Sequence, residues 1–154
     1  LLLLTVVFSL MLGFGLARAV EPPGTVDVIP ATQKLGQELY LENCATCHIG
    51  IPPAVMPTQT WRDLLQDPQH YGAELSPIAP LNLRLIWNYI LFSSRSLKPD
   101  EKIPFRLRQS QIFKALHPRV DLPREVGLTS CVSCHPGASQ YNFRRLTPNW
   151  DNAP

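Results

Sequence analysis

Outside two nine-residue stretches the 154-residue sequence contains no cysteine, and over its first sixteen positions it contains no charged residue. Net charge is only +2, so charge does not point to nucleic acid as a partner. No strand pairs with hairpin-turn signals stand out, and no alternation of strands and helices supports a thioredoxin-like fold. What the chain has in quantity is proline. All 16 prolines lie beyond residue 21, and each fixes φ and removes a backbone donor, which argues against long helices and regular sheet. A chain so short and loop-rich buries little core by itself. Something else is needed to hold it together.

The uncharged start, LLLLTVVFSLMLGFGL, is followed by Ala17-Arg18-Ala19, a small-x-small pattern of the signal-peptidase type. Residues 1–19 therefore read either as a signal peptide cut after Ala19 or as an N-terminal membrane anchor. As a helix the apolar run would span roughly 25 Å, at the short edge of a bilayer's need. Both readings place residues 20–154 outside the cytoplasm, exported to a periplasm or an equivalent lumen.

Beyond a lead-in over 21–30, hydrophobic spacing predicts a helix from Thr32 to about Asn43, with Leu35 and Leu39 on one face. A short helix capped by a threonine follows over 58–66, burying Trp61, Leu64 and Leu65. The loop DPQHYGAELSP leads to the strongest helix, 81–94, apolar on nearly every side and so expected to be central. A last short helix covers about Gln109 to His117, stopped by Pro118, and a turn from Pro123 leads into Cys131.

The two cysteine-bearing stretches are ENCATCHIG at 42–50 and TSCVSCHPG at 129–137, each a Cys-x-x-Cys-His. On a helical turn, cysteines at i and i+3 lie on one side, so both sulfurs can reach the two vinyl groups of one haem edge. The histidine that follows then projects beneath the ring. A four-thiolate zinc site would use Cys44, Cys47, Cys131 and Cys134 but has no need of a histidine after each pair, and the 83-residue gap between pairs is long for a compact ribbon. The motifs therefore predict two covalently attached haems c, held by Cys44, Cys47, Cys131 and Cys134, with His48 and His135 as proximal iron ligands. The expected fold is mainly α and loop-rich, with short helices wrapped around two covalently bound c-type haems. Trp61, Trp87, Leu85, Ile86 and Ile90 are candidates either to wrap a haem or to form ordinary helix–helix core.

Two irons need two further axial ligands, and His70 and His117 are the two histidines left. Of the methionines, Met11 lies in the leader, and Met56 would have to reverse across a ring only eight residues after His48. The count favours bis-histidine ligation at both sites. The shorter-loop pairing joins His48 with His70 and His117 with His135, while the crossed pairing stays topologically open.

These residues carry a resemblance. LGQELYLENCATCH resembles the N-terminal helix and first attachment site of class I cytochromes c. The longer pattern, CATCHIGIPPAVMPTQTWRDLLQDPQHYGAEL, then an apolar helix, then IFKALHPR and CVSCHPGA, is similar to the small dihaem cytochrome c family. Pro-Pro after the first site, the W-R-D-L helix and H-Y-G are its more specific parts. The resemblance spans roughly 35–150 and implies His70 and His117 as distal ligands. The leader boundary and the positions of the two motifs predict a dihaem domain over 20–154, with the first haem site within 31–75 and the second within 109–150. Described members of the family donate electrons to an oxygen-binding monohaem cytochrome. The proline-rich KPDEKIPFRLR departs from the family pattern.

Six-coordinate irons leave no vacant position for substrate, so the expected function is electron transfer by a low-potential bis-histidine dihaem cytochrome, not catalysis. The alternatives are a dihaem subunit feeding a larger reductase, or a peroxidase-like or oxygen-reactive enzyme in which one distal histidine leaves its iron. Partners are redox proteins, either an acidic protein or a monohaem cytochrome, with membrane association through residues 1–19 in the anchored reading. Charge is uneven: residues 20–97 carry net −3 and residues 98–154 net +4. Lys98, Lys102, Arg106, Arg108, Lys114, Arg119 and Arg124 concentrate the positive charge in the half leading to the second motif and predict docking of an acidic partner there.

Overall fold

The computed structural model describes residues 5–7, 9, 11, 28–118, 120, 122 and 126–148. Most of the predicted leader, the lead-in up to residue 27, Arg119, Pro123 and Arg124 lie outside the described residues. Among the described residues no helix is long and apolar enough to cross a membrane.

Helix α1, Ala31–Cys44, starts where Pro30 leaves an extended conformation that cannot extend the helix backward. It packs against α3, Pro80–Ser93, whose first residue is a proline with no helical donor to lose. Contact between the two is set by Gly36, not by Leu35, which is exposed. A Cβ at Gly36 would sit 2.5 Å from the Leu85 carbonyl oxygen and 2.8 Å from Tyr89 Cβ. The buried face of α1 is thus Gly36 and Tyr40, one step round from the predicted Leu35–Leu39 face. Leucine spacing misled because the closest helix approach excludes a large side chain at its centre.

Tyr40, Met56, Trp61, Ile86, Tyr89, Ile90 and Tyr141 form the core. Full burial of Ile86 and Ile90 contributes roughly 1.5–3 kcal/mol each. Of the side chains predicted either to wrap a haem or to build core, Trp61, Ile86 and Ile90 build core. Helix α3 is not buried all round, since Leu81, Leu91 and Phe92 remain exposed on the polypeptide. Met56 is 3% exposed inside the core, which accounts for it without an iron.

Polar atoms of the core tie loops to helices. Tyr40 donates to the Ile51 carbonyl at 2.7 Å and accepts from the Ile51 N–H at 3.1 Å. Trp61 Nε1 donates to the Pro53 carbonyl at 2.9 Å, fixing the Pro53–Val55 turn. Tyr89 and Tyr141, 52 residues apart, share a hydrogen bond of 2.7 Å. Burial raises the Tyr40, Tyr89 and Tyr141 hydroxyls above the usual phenol range, so they remain protonated.

Helix α2, Thr58–Gln66, follows Pro57 and has no side-chain cap, contrary to the threonine cap expected. The Thr58 hydroxyl is instead bonded to the Ser94 hydroxyl at 2.8 Å, and the Thr58 N–H donates to the Arg95 carbonyl. Helix α4, Gln111–Leu116, is capped by the fully buried Ser110, whose hydroxyl accepts from Phe113 N–H and donates to the Val55 carbonyl at 2.8 Å. Helix α5 is the single turn Cys131–Cys134.

The predicted loop 67–77 contains a hairpin. Strand β1, Gln69–His70, pairs antiparallel with β2, Ala73–Glu74, with His70 opposite Ala73. Tyr71 and Gly72 form the two-residue turn at φ 53° and 95°. Two positive φ values are the demand of a primed hairpin turn, which ordinarily takes Asn or Gly first. Tyr in that position hid the hairpin from the sequence.

Candidate functional site

The first motif closes α1. Cys44 is the last helical residue, and residues 45–48 bend away, so only the second motif carries both cysteines on a helical turn. His48 emerges from the bend half-buried, and its Nδ1 donates to the Ile49 carbonyl at 2.7 Å. A carbonyl only accepts, so Nδ1 carries the proton and Nε2 presents its lone pair.

In the second motif α5 ends at Cys134, and the His135 N–H closes on the Cys131 carbonyl at 2.8 Å. Its Nδ1 donates to the Phe143 carbonyl at 2.9 Å. Phe143 also packs edge-on against His135 at 5.5 Å and against Tyr141 at 5.8 Å, so the second motif leans on the aromatic core. Sequence reasoning singled out neither Tyr141 nor Phe143. Their one signal was aromatic spacing after the motif.

His117 caps the end of α4, and its Nδ1 donates to the Phe113 carbonyl at 2.8 Å. His70 ends β1, and its Nδ1 is buried without a hydrogen-bond partner. Three of the four imidazoles thus share one device, and His70 lacks it.

The rings meet in two pairs. His48 and His70 lie 6.2 Å apart, centroid to centroid, with planes 17° from parallel. His117 and His135 lie 6.3 Å apart with planes at 88°. An iron between two imidazoles requires about this spacing: two metal–nitrogen bonds of about 2 Å plus about 1 Å from each nitrogen to its ring centre. The residues present therefore fit a six-coordinate iron in each gap.

Zinc and thiol chemistry fit less well. Among the described residues no disulfide joins the cysteines, and no three His, Cys, Asp or Glu side chains gather around one metal position. Burial pushes the Cys44 thiol up to about 11 and raises Cys131 as well, opposite to the activated thiolate of a redox Cys-x-x-Cys. Burial also lowers His70 and His135 below the usual imidazole range, which favours the neutral, ligating form.

Around His70 lies a clamp that sequence reasoning missed. The Tyr71 ring packs against His70 at 5.2 Å, and the Tyr71 hydroxyl donates to the Phe105 carbonyl at 2.6 Å. The Phe105 ring meets Tyr71 at 4.8 Å, and the Arg106 guanidinium lies 4.5 Å from the Tyr71 ring centre. Such a cation–ring contact contributes roughly 0.5–1 kcal/mol at an exposed site. Gln109 Oε1 accepts from the Phe105 and Arg106 N–H groups at 2.8 and 2.9 Å, holding the clamp in shape.

A family model described as dihaem cytochrome c matches residues 40–143. Two solved structures of the diheme cytochrome c of Rhodobacter sphaeroides are similar in fold at 24% identity and a TM-score of 0.51. They cover 78% and 79% of this chain, and 99% and 100% of their own. A diheme cytochrome type c from Shewanella baltica matches at 19% identity over 73% of this chain and 86% of its own, with a TM-score of 0.48. No curated protein matches the sequence.

Proposed function

Because the chain belongs to the dihaem cytochrome c family, we propose that it relays electrons outside the cytoplasm between two bis-histidine sites of low potential. It is a haem-based electron carrier with two covalently attached haems c. When bound, they supply a one-electron ferric/ferrous couple at each site.

In this reading Cys44 and Cys47 hold the first group and Cys131 and Cys134 the second. His48 and His70 would hold the iron of the first, and His117 and His135 that of the second. The observation that carries the assignment is the pair of imidazole gaps, 6.2 and 6.3 Å, each with a motif histidine on one side. Backbone carbonyls on three Nδ1 atoms fix the tautomer and raise the basicity of the opposite nitrogen. Two imidazoles per iron, without a thioether, favour the ferric state and low potentials.

Docking falls to the basic surface. Lys98, Lys102, Arg106, Arg108 and Lys114 are all exposed, and they lie along the segment that runs from α3 to His117. That supports an acidic redox partner there. Export rests on the uncharged stretch and Ala17-Arg18-Ala19 at the start of the chain.

The test is a redox titration of the purified holoprotein followed by absorbance. The expected result is a wholly low-spin ferric spectrum and two one-electron steps, both below the range of His/Met cytochromes. A high-spin wild type, or one step in place of two, would remove the reading.

A further inference from the structure

His70 is the exception among the four histidines. Its Nδ1 is buried and unpartnered, while the other three donate to carbonyls within 2.9 Å. It also sits on the least supported element of the fold, since a ladder of two residues per strand has little stability of its own. His117, by contrast, ends a helix whose cap is bonded to the Val55 carbonyl. What fixes His70 must lie elsewhere.

The residue next to it is strained and held. Tyr71 has φ 53°, a left-handed conformation that costs a non-glycine residue energy and persists only where its surroundings impose it. Here they do. Its hydroxyl is bonded to the Phe105 carbonyl, its ring is flanked by Phe105 and Arg106, and its other neighbour is the His70 imidazole. Gln109 braces Phe105 and Arg106 from behind.

We propose that Tyr71, clamped by Phe105 and Arg106, is a positioning residue that holds the His70 imidazole in place of the missing Nδ1 hydrogen bond. The first haem site is then the one that opens to a small external ligand when the clamp is released, and the second stays closed. The clamp comes from residues 104–109, which run directly into α4 and His117, so one segment supports the distal side of both sites. This rests on the reading of the four histidines as axial ligands.

The experiment uses the full-length holoprotein with carbon monoxide as probe. Reduced wild type takes up no carbon monoxide, whereas reduced Tyr71→Ala binds it at one of its two haems. Its carbonyl spectrum matches that of His70→Ala, and its ferric form loses low-spin character at one haem. Added imidazole restores the low-spin spectrum. Arg106→Ala gives the same changes in smaller degree, and the nearby Lys102→Ala gives none. If Tyr71→Ala does not accumulate, Tyr71→Phe combined with Arg106→Ala decides the matter by the same readings. A clamp variant that stays low-spin and free of carbon monoxide, or one that opens both haems equally, overturns the proposal while the dihaem relay stands. A wild type that already binds carbon monoxide at both haems overturns the ligand assignment itself, and the clamp with it.

Discussion

The imidazole of His117 stands at 88° to that of His135 across a gap of 6.3 Å, whereas His70 lies within 17° of parallel to His48 across nearly the same gap. The planes matter to the proposed ligation because each imidazole would donate π density into one d orbital of the iron it holds. Parallel rings act on the same orbital and split the pair, while perpendicular rings act on both and leave them nearly degenerate. The ferric protein is therefore expected to give two low-spin electron paramagnetic resonance signals, one rhombic and one highly anisotropic. His70→Met removes the rhombic signal and His117→Met the anisotropic one. A single signal shared by both haems would contradict the ring geometry.

Those same variants report on potential. A thioether stabilises ferrous iron relative to imidazole, so each substitution raises one potential by an appreciable part of the about 0.8 V that axial ligation spans. The other potential stays near its original value. Spectroelectrochemical titration of both variants measures this, and unchanged potentials in both would show that the distal ligands are other residues.

Gly36→Ala tests the helix crossing. The new methyl would lie 2.5 Å from a backbone oxygen of α3, which no side-chain rotation relieves. Overpacking costs about 1–3 kcal/mol, and the better helix propensity of alanine returns about 0.8–1 kcal/mol. A net loss of stability is expected in thermal or denaturant unfolding. Gly127→Ala is the control, because its Cβ would meet only Thr129 Oγ1 at 3.7 Å.

For docking, the clean probes are Lys98, Lys102 and Lys114. Arg106 is a poor one because it lies over Tyr71, so its reversal would disturb the first site as well as the surface. Lys98→Glu with Lys102→Glu and Lys114→Glu should slow electron transfer to an acidic partner and leave both potentials unchanged. The wild-type rate should fall steeply with salt, since exposed charges are screened over about 8 Å at physiological ionic strength. A rate indifferent to salt and to the reversals would point to a permanent complex.

Much of the helical framework was legible. The predicted helix 32–43 is Ala31–Cys44, the predicted 58–66 is Thr58–Gln66, and the predicted 81–94 is Pro80–Ser93. Prolines at 30, 57 and 80 mark the starts, and such punctuation is local. The face that α1 buries was not legible, because Gly36 matters for what it lacks. Nor was the hairpin at His70, whose turn places tyrosine where positive φ usually selects asparagine or glycine. Residues 98–108, the proline-rich stretch set apart from the family pattern, were legible only as a source of basic docking residues, and Phe105 and Arg106 within it form the clamp on Tyr71.

The sequence by itself determined that there are two Cys-x-x-Cys-His motifs and two further histidines, since spacing within a single turn is a short-range property. It did not determine which imidazoles face each other. His70 lies 22 residues after His48, and His117 lies 18 before His135, with proline-broken chain between. Bringing them within 6.3 Å depends on packing: Trp61 and Ser110 pinning the 53–55 turn, and Tyr141 bonded to Tyr89. The planes of the rings were decided later still, by the carbonyls of Ile49, Phe113 and Phe143 and, at His70, by the clamp. A ring's tilt depends on single hydrogen bonds and contacts whose partners the fold must first bring near, and no local pattern in the chain encodes them.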